Sequence, residues 1–256
     1  MSSAVLSPAA PAAIAAQPSL SLDPHSRLNA IRWSLRLYGP IGTARLLSAK
    51  LRGQTGDGDE YALFRDRLAD RRLGIETASP VQVADLQVDA DARAHAVEYR
   101  PTSSLDAALM LSRLPVDRAR THFLDLGCGK GRIVALASAM GFAASTGVEF
   151  DPSLAETARR NLLTCRLPSQ GAAAIITGDA RETFWPSAPL VVYLYNPFGR
   201  PILEQTLARL TDSLRRDPRP CHVLYANPQH ADAFDTPAWQ RGQTGDDWWE
   251  LYRWRQ

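Results

Sequence analysis

Apolar positions along the chain follow two rhythms. Short apolar runs at residues 123–126, 190–195 and 221–226, with two more ending in Thr146-Gly147-Val148-Glu149 and in Thr177-Gly178-Asp179-Ala180, read as strands of a buried sheet. Between them apolar residues recur every three or four positions: Ile133, Val134, Leu136, Ala137 and Met140, then a segment through Leu163, then Leu203, Leu207, Leu210 and Leu214. Those stripes predict helices laid on a sheet. Gly141 suits a left-handed helix terminus, Asp151-Pro152 suits an N-cap followed by a first-turn proline, and Pro201 opens the last helix. Strands alternating with helices predict a doubly wound α/β fold. Residues 237–240 and 248–254, separated by a turn at 243–247, read as a closing hairpin.

The first third is patterned differently. Residues 1–24 are rich in Ala, Pro and Ser and read as a disordered tail, with no basic residue ahead of an apolar run as a secretory signal would have. From His25 to Gly53 the chain carries Arg27, Arg32, Arg36, Arg45, Lys50 and Arg52 with no acid between them. Leu28, Ile31, Leu35 and Tyr38 repeat at helical spacing, Gly39-Pro40 interrupts, and Leu47 and Leu51 resume, so two short amphipathic basic helices are expected. Two readings stand beside each other: an anionic partner for residues 27–52, lipid headgroups or RNA, or arginines that solvate the outer face of helices packed on the main domain. Residues 54–60 read as a link, and Tyr61, Phe64 and Leu68 as a further helix closed by Gly74. Residues 25–95 form a helical N-terminal segment on this reading, with a substrate-selecting cap as its expected role. Thr102 or Ser103 would cap a helix carrying Leu105, Leu109 and Leu114.

Composition narrows the choice of partner and compartment. A net charge of +2 over 256 residues supplies no global basic field, so no DNA partner is expected. Three cysteines do not make a disulfide framework, and a cytoplasmic setting is expected. No stretch approaches the apolar length of a membrane span. No His and Cys spacing suggests a metal site.

Chemistry concentrates where the first strand meets its helix. Asp125, Gly127, Gly129 and Gly131 follow the pattern D-x-G-x-G-x-G, in which the acid precedes the glycines; the dinucleotide fingerprint G-x-G-x-x-G would place its last glycine one residue later. Glycines there let a ligand approach main chain. Glu149 follows about 20 residues on, the offset at which an acid ending the second strand reaches ribose hydroxyls. Asp179 ends the third strand, where it could also be an N-cap, and Asn196-Pro197-Phe198 ends the fourth. Cys128 reads as a small apolar filler. Lys130 and Arg132 either touch a ligand carboxylate or face water. His222 and His230 read as ordinary histidines rather than general bases.

With these residues in this order, the sequence from about residue 96 to 256 resembles the class I S-adenosylmethionine (SAM) methyltransferases. The resemblance implies a seven-stranded sheet, mostly parallel with an antiparallel last strand, and SAM as cofactor. It also implies cofactor contacts from Tyr99, from the loop Asp125, Leu126, Gly127, Cys128, Gly129 and Gly131, from Glu149 at the ribose, and from Phe150. Asp179 would meet the adenine amino group, the Ala180 N–H a ring nitrogen, and Asn196 the transferable methyl. Asn196-Pro197-Phe198 resembles the N-P-P-Y motif of amino-group methyltransferases, short of one proline. That implies catalytic roles for Asn196, whose oxygen would accept amine hydrogens, for Phe198, which would cover the nitrogen, and for Tyr195. FLDLGCGKGR with YNPF also resembles bacterial methyltransferases of open substrate and, more distantly, the non-SET protein-lysine methyltransferases. The expected reaction is therefore methyl transfer to an amine nitrogen, a protein lysine first. The alternatives are a small-molecule O- or N-methyltransferase, or a SAM-binding module without turnover whose basic arm contacts RNA or membrane.

Overall fold

The computed structural model describes residues 24–52, 59–88, 97–242 and 248–255. The expected tail, most of the expected link at 54–60 and the hairpin turn at 243–247 lie outside these residues. Seven strands form one sheet in the order β3-β2-β1-β4-β5-β7-β6. They are β1 (His122–Leu126), β2 (Ala144–Glu149), β3 (Ala172–Thr177), β4 (Leu190–Tyr195), β5 (Cys221–Ala226), β6 (Trp239–Arg241) and β7 (Trp249–Trp254). The first five run parallel, while β7 is antiparallel to both β5 and β6. Chain order reverses between β1 and β4, which opens a crevice at their carboxyl ends, the usual ligand position in such sheets.

Helices cover both faces. On one side Phe123, Val191, Tyr193 and Leu224 pack with α3 (Ser104–Ser112) and α4 (Arg132–Ala139). On the other, Leu124, Val192 and Val223 meet Leu203, Leu207, Leu210 and Leu214 of α6 (Arg200–Arg216), the stripe that periodicity predicted. Gly141 ends α4 at φ 87. No helix among the described residues is long and apolar enough to cross a membrane.

Between β2 and β3, α5 (Pro152–Thr164) starts as expected: the Asp151 carboxylate accepts the Ser153 and Leu154 N–H groups at 2.8 and 2.9 Å. It also accepts the Gln87 N–H, tying in the N-terminal segment. Burial pushes the Asp151 carboxyl up, but hydrogen bonds from Ser153, Leu154 and Gln87 outweigh it and hold the group below its ordinary range. A depressed carboxylate contributes stability that is present above its unfolded pKa and lost as pH falls through its folded one. Asp151→Ala should therefore cost about 1 kcal/mol at neutral pH. Urea titrations should show the gap closing as pH falls below the ordinary carboxylate range.

The N-terminal segment forms α1 (Pro24–Leu51), kinked where Gly39 sits at φ 68, and α2 (Asp59–Leu73), closed by Gly74 at φ 74. Trp33, Leu37, Tyr38, Ala69 and Leu73 belong to the same core as Phe123 and Tyr193. The change of pattern near residue 95 therefore separates two styles of sequence, not two cores. Two expectations need correcting. Of the stripe Leu28, Ile31, Leu35 and Tyr38, only Tyr38 is buried; the larger Trp33, with Leu37, takes the inward face instead. Ser103 occupies the N-cap of α3 without a side-chain cap bond, and the Thr102 hydroxyl meets Tyr193 Oη at 2.7 Å.

Candidate functional site

At the carboxyl ends of β1 to β4 lies a cavity of about 400 Å³, within the range that holds small ligands. Its floor is the glycine turn after β1. Gly127 and Gly129 have φ of 75 and 53. A Cβ on Gly127 would stand 2.5 Å from Pro197, and one on Gly129 would stand 2.1 Å from the Tyr99 ring. The glycines are thus required first by two protein side chains that press on the turn and then line the cavity themselves. Tyr99 is held by its hydroxyl, which donates to the Thr77 carbonyl at 2.9 Å, and by Lys130 Nζ 5.6 Å from its ring centre.

Of the five acids that line this space, Asp125, Glu149 and Asp179 stand at strand ends. Asp125, at the end of β1, is 2% exposed; burial pushes its carboxyl well up, and nearby Glu149 pushes further. Glu149, at the end of β2, is also raised by burial, against which the Asp151 and Gly129 N–H groups donate to its two oxygens at 2.9 and 2.7 Å. One Glu149 oxygen therefore fixes the glycine turn and the other fixes the entry to α5. Asp179, just past β3, caps a short turn by accepting the Arg181 N–H at 2.7 Å, and it pairs with the Arg181 guanidinium at 2.6 Å. Burial raises it, but the Arg181 bonds prevail and hold it low. Ala180 is buried beside it, and Phe150, 40% exposed, forms part of the cavity rim.

The opposite wall is Tyr195, Asn196, Pro197 and Phe198. Asn196 sits at φ 41, a left-handed position that asparagine tolerates better than most residues. Its Oδ1 accepts from Tyr225 Oη at 3.3 Å. Burial pushes the Tyr225 phenol up to about 12, so it remains a donor at neutral pH. Tyr225 was not singled out by sequence, since it reads as one more apolar residue of β5. The pairing of Leu194 with Tyr225 across β4 and β5 brings it beneath Asn196.

Of the residues named from sequence, Leu126 and Gly131 are not brought to the cavity. The Leu126 side chain lies in the opposite-face core, and Gly131 is pressed against Ala158. Cys128 lines the cavity and fills the space above Gly147, whose added Cβ would meet its Sγ at 2.5 Å. His222 and His230 are not among the lining residues; His222 pairs across the sheet with Arg253. No group of His, Cys, Asp and Glu among the described residues could hold a metal ion.

Sequence reasoning missed how the N-terminal segment builds the site. Arg132 does not face water: it lines the cavity, with its guanidinium held by protein partners. It is 2% exposed, pairs with Asp66 at 3.0 Å and Asp70 at 3.3 Å, and donates to Thr77 Oγ1 at 2.6 Å and the Thr102 carbonyl at 2.9 Å. Asp70 also accepts the Thr77 and Ala78 N–H groups, at 2.5 and 2.6 Å. Lys130 likewise reaches Glu76 at 2.7 Å and the Ser79 carbonyl at 3.1 Å. These ties draw the strap after α2 over the glycine turn, so that Leu86, Val88 and Val97 join the cavity wall. A segment so embedded supplies part of the cavity wall itself.

No family model and no curated protein matches the sequence. Solved structures with a similar fold include a Listeria monocytogenes protein described as a predicted N6-adenine-specific DNA methylase, with TM-score 0.47 and 16% identity. That match covers 60% of this chain and 51% of the other, so the chain spans about half the length of that protein. An RNA methyltransferase from Salinibacter ruber, in complex with S-adenosyl-L-homocysteine, gives 0.38 and 23%, covering 60% of this chain and 92% of that one. A ribosomal protein L11 methylase from Lactobacillus delbrueckii subsp. bulgaricus gives 0.42 and 16%, with 60% and 77% covered. Their descriptions name DNA, RNA and a ribosomal protein as substrates. Likenesses at this distance leave activity and substrate to be read from the site.

Proposed function

We propose that the protein is a SAM-dependent methyltransferase whose acceptor is an amine nitrogen. The observation that supports this reading is convergence: Asp125, Glu149, Asp179 and Asn196 come from four separate strand ends and line one cavity. Its chemistry fits the cofactor. Two buried acids whose carboxyls burial drives up are relieved by a ligand that brings positive charge and hydroxyl donors, and SAM carries both. Glu149 would accept the ribose hydroxyls, Asp179 the adenine amino group beside the Ala180 N–H, and Phe150 would cover the purine.

When bound, SAM supplies a methyl group activated by a positively charged sulfur. The chain's own residues align the acceptor. Asn196 Oδ1, oriented by the Tyr225 hydroxyl, accepts an N–H of the incoming amine and turns its lone pair along the line of transfer. Tyr195 and Phe198 wall off water and face the charge that spreads during transfer. Because an amide oxygen takes no proton at neutral pH, the amine would have to lose its ammonium proton to solvent before attack; after transfer the sulfur would be a neutral thioether and the methylated, positively charged nitrogen could release a proton to water. A protein lysine is the acceptor we put forward. The test is incubation with methyl-labelled SAM and, separately, a proteome extract and a metabolite extract. Label in a protein lysine is the expected result; label only in small molecules replaces lysine as the acceptor, and label in neither removes the enzyme reading.

A further inference from the structure

The first helix carries two apolar faces, and the core uses one. Trp33 and Leu37, one turn apart, are buried against the body of the protein together with Tyr38. Leu28, Ile31 and Leu35, spaced to share the opposite face, are 61%, 53% and 44% exposed. Past the kink at Gly39, Ile41, Leu47 and Leu51 are 72%, 58% and 81% exposed. These six are half of the twelve large apolar side chains exposed among the described residues, gathered on a single helix. Scattered exposed leucines need no explanation, but a cluster of this density marks a surface with a partner.

Charge identifies the partner. Arg27, Arg32, Arg36, Arg45, Lys50 and Arg52 are interleaved with those aliphatics, and no acid occurs from His25 to Gly53. We propose that α1 docks in the plane of an anionic lipid surface, its leucines and isoleucines entering the acyl boundary while its cations meet headgroup phosphates. A second copy of the chain would oppose one basic face with another. RNA would call for exposed aromatic stacking, whereas Trp33 and Tyr38 are buried and the Arg36 guanidinium lies 5.2 Å from the Trp33 ring centre. The combination of aliphatics and cations without acids or exposed aromatics is what an interfacial helix presents.

The test is flotation of the full chain with vesicles of pure phosphatidylcholine and of phosphatidylcholine mixed with phosphatidylglycerol. Binding to the mixed vesicles alone is expected, weakening as salt is raised. The triple variant Leu28→Ser, Ile31→Ser, Leu35→Ser should lose at least about tenfold in partitioning while its thermal unfolding stays that of the parent, since all three side chains are exposed. Arg32→Gln, Arg45→Gln, Lys50→Gln together should lose about 100-fold. Absence of binding to mixed vesicles overturns the proposal, as does equal binding by the serine variant. RNA binding without vesicle binding assigns the face to RNA instead. A dimer that the serine variant dissolves, without vesicle binding, makes the face a self-interface.

Discussion

Arg132→Ala is expected to destabilise the protein by about 3–5 kcal/mol, the largest loss among single substitutions outside the apolar core. The reason is what it leaves behind. Asp66 and Asp70 would remain buried opposite an empty space, and the Thr77 hydroxyl and Thr102 carbonyl would lose their donor. Burial already pushes the Asp66 carboxyl up, restrained by Arg132 and Arg65, so loss of the Arg132 guanidinium would push it further up. For a chain of this size the loss corresponds to a fall in Tm of roughly 10 °C. Arg132→Lys keeps the charge but not the fork that reaches four partners, and it should recover only part of the loss. Equilibrium urea unfolding checks both. Because the strap after α2 lines the cavity, Arg132→Ala should also weaken ligand binding at temperatures where the fold persists. A loss under about 1 kcal/mol would mean that the strap does not depend on this network.

The second large effect is kinetic. Asn196→Ala should lower turnover about 100-fold while leaving SAM affinity within about threefold, because the side chain aligns the acceptor and does not hold the cofactor. Asn196 occupies a left-handed position, so an alanine there adds backbone strain to the loss of the amide. Asn196→Gly separates the two: it relieves the strain and still lacks Oδ1, and it should be as slow as the alanine variant. A fast glycine variant would assign the effect to backbone. Tyr225→Phe removes the hydroxyl that orients the amide and should cost about tenfold, the worth of one hydrogen bond.

How much of this was legible beforehand differs by element and for physical reasons. The strands and α4 to α6 were plain because a sheet covered on both faces requires unbroken apolar runs, and a helix on it requires a stripe; 190–195 and Leu203 to Leu214 are such cases. The strand-end acids were legible because a parallel sheet fixes where each strand stops. The inward face of α1 was not, since that helix has two apolar stripes and periodicity cannot choose between Leu28 and Trp33. Nor was the role of Arg132, whose partner Asp70 lies 62 positions away. Tyr225 stood within an apolar run, where its hydroxyl gave no signal. The glycine turn was located correctly, yet Tyr99 and Pro197, not a ligand alone, account for the absence of side chains at Gly129 and Gly127.

The proposal that the cavity at the strand ends is a nucleoside site is tested most directly by calorimetric titration of SAM and of S-adenosylhomocysteine into the parent protein and Glu149→Gln. Glutamine can still accept the Gly129 N–H, but its NH2 would stand against the Asp151 N–H, so the comparison is made at a temperature where both proteins are folded. The expected result is one site for each ligand on the parent and at least about tenfold weaker binding to the folded variant. Equal affinity in the two proteins would contradict the assignment of Glu149. No binding of either ligand to the folded parent would contradict the site as a whole.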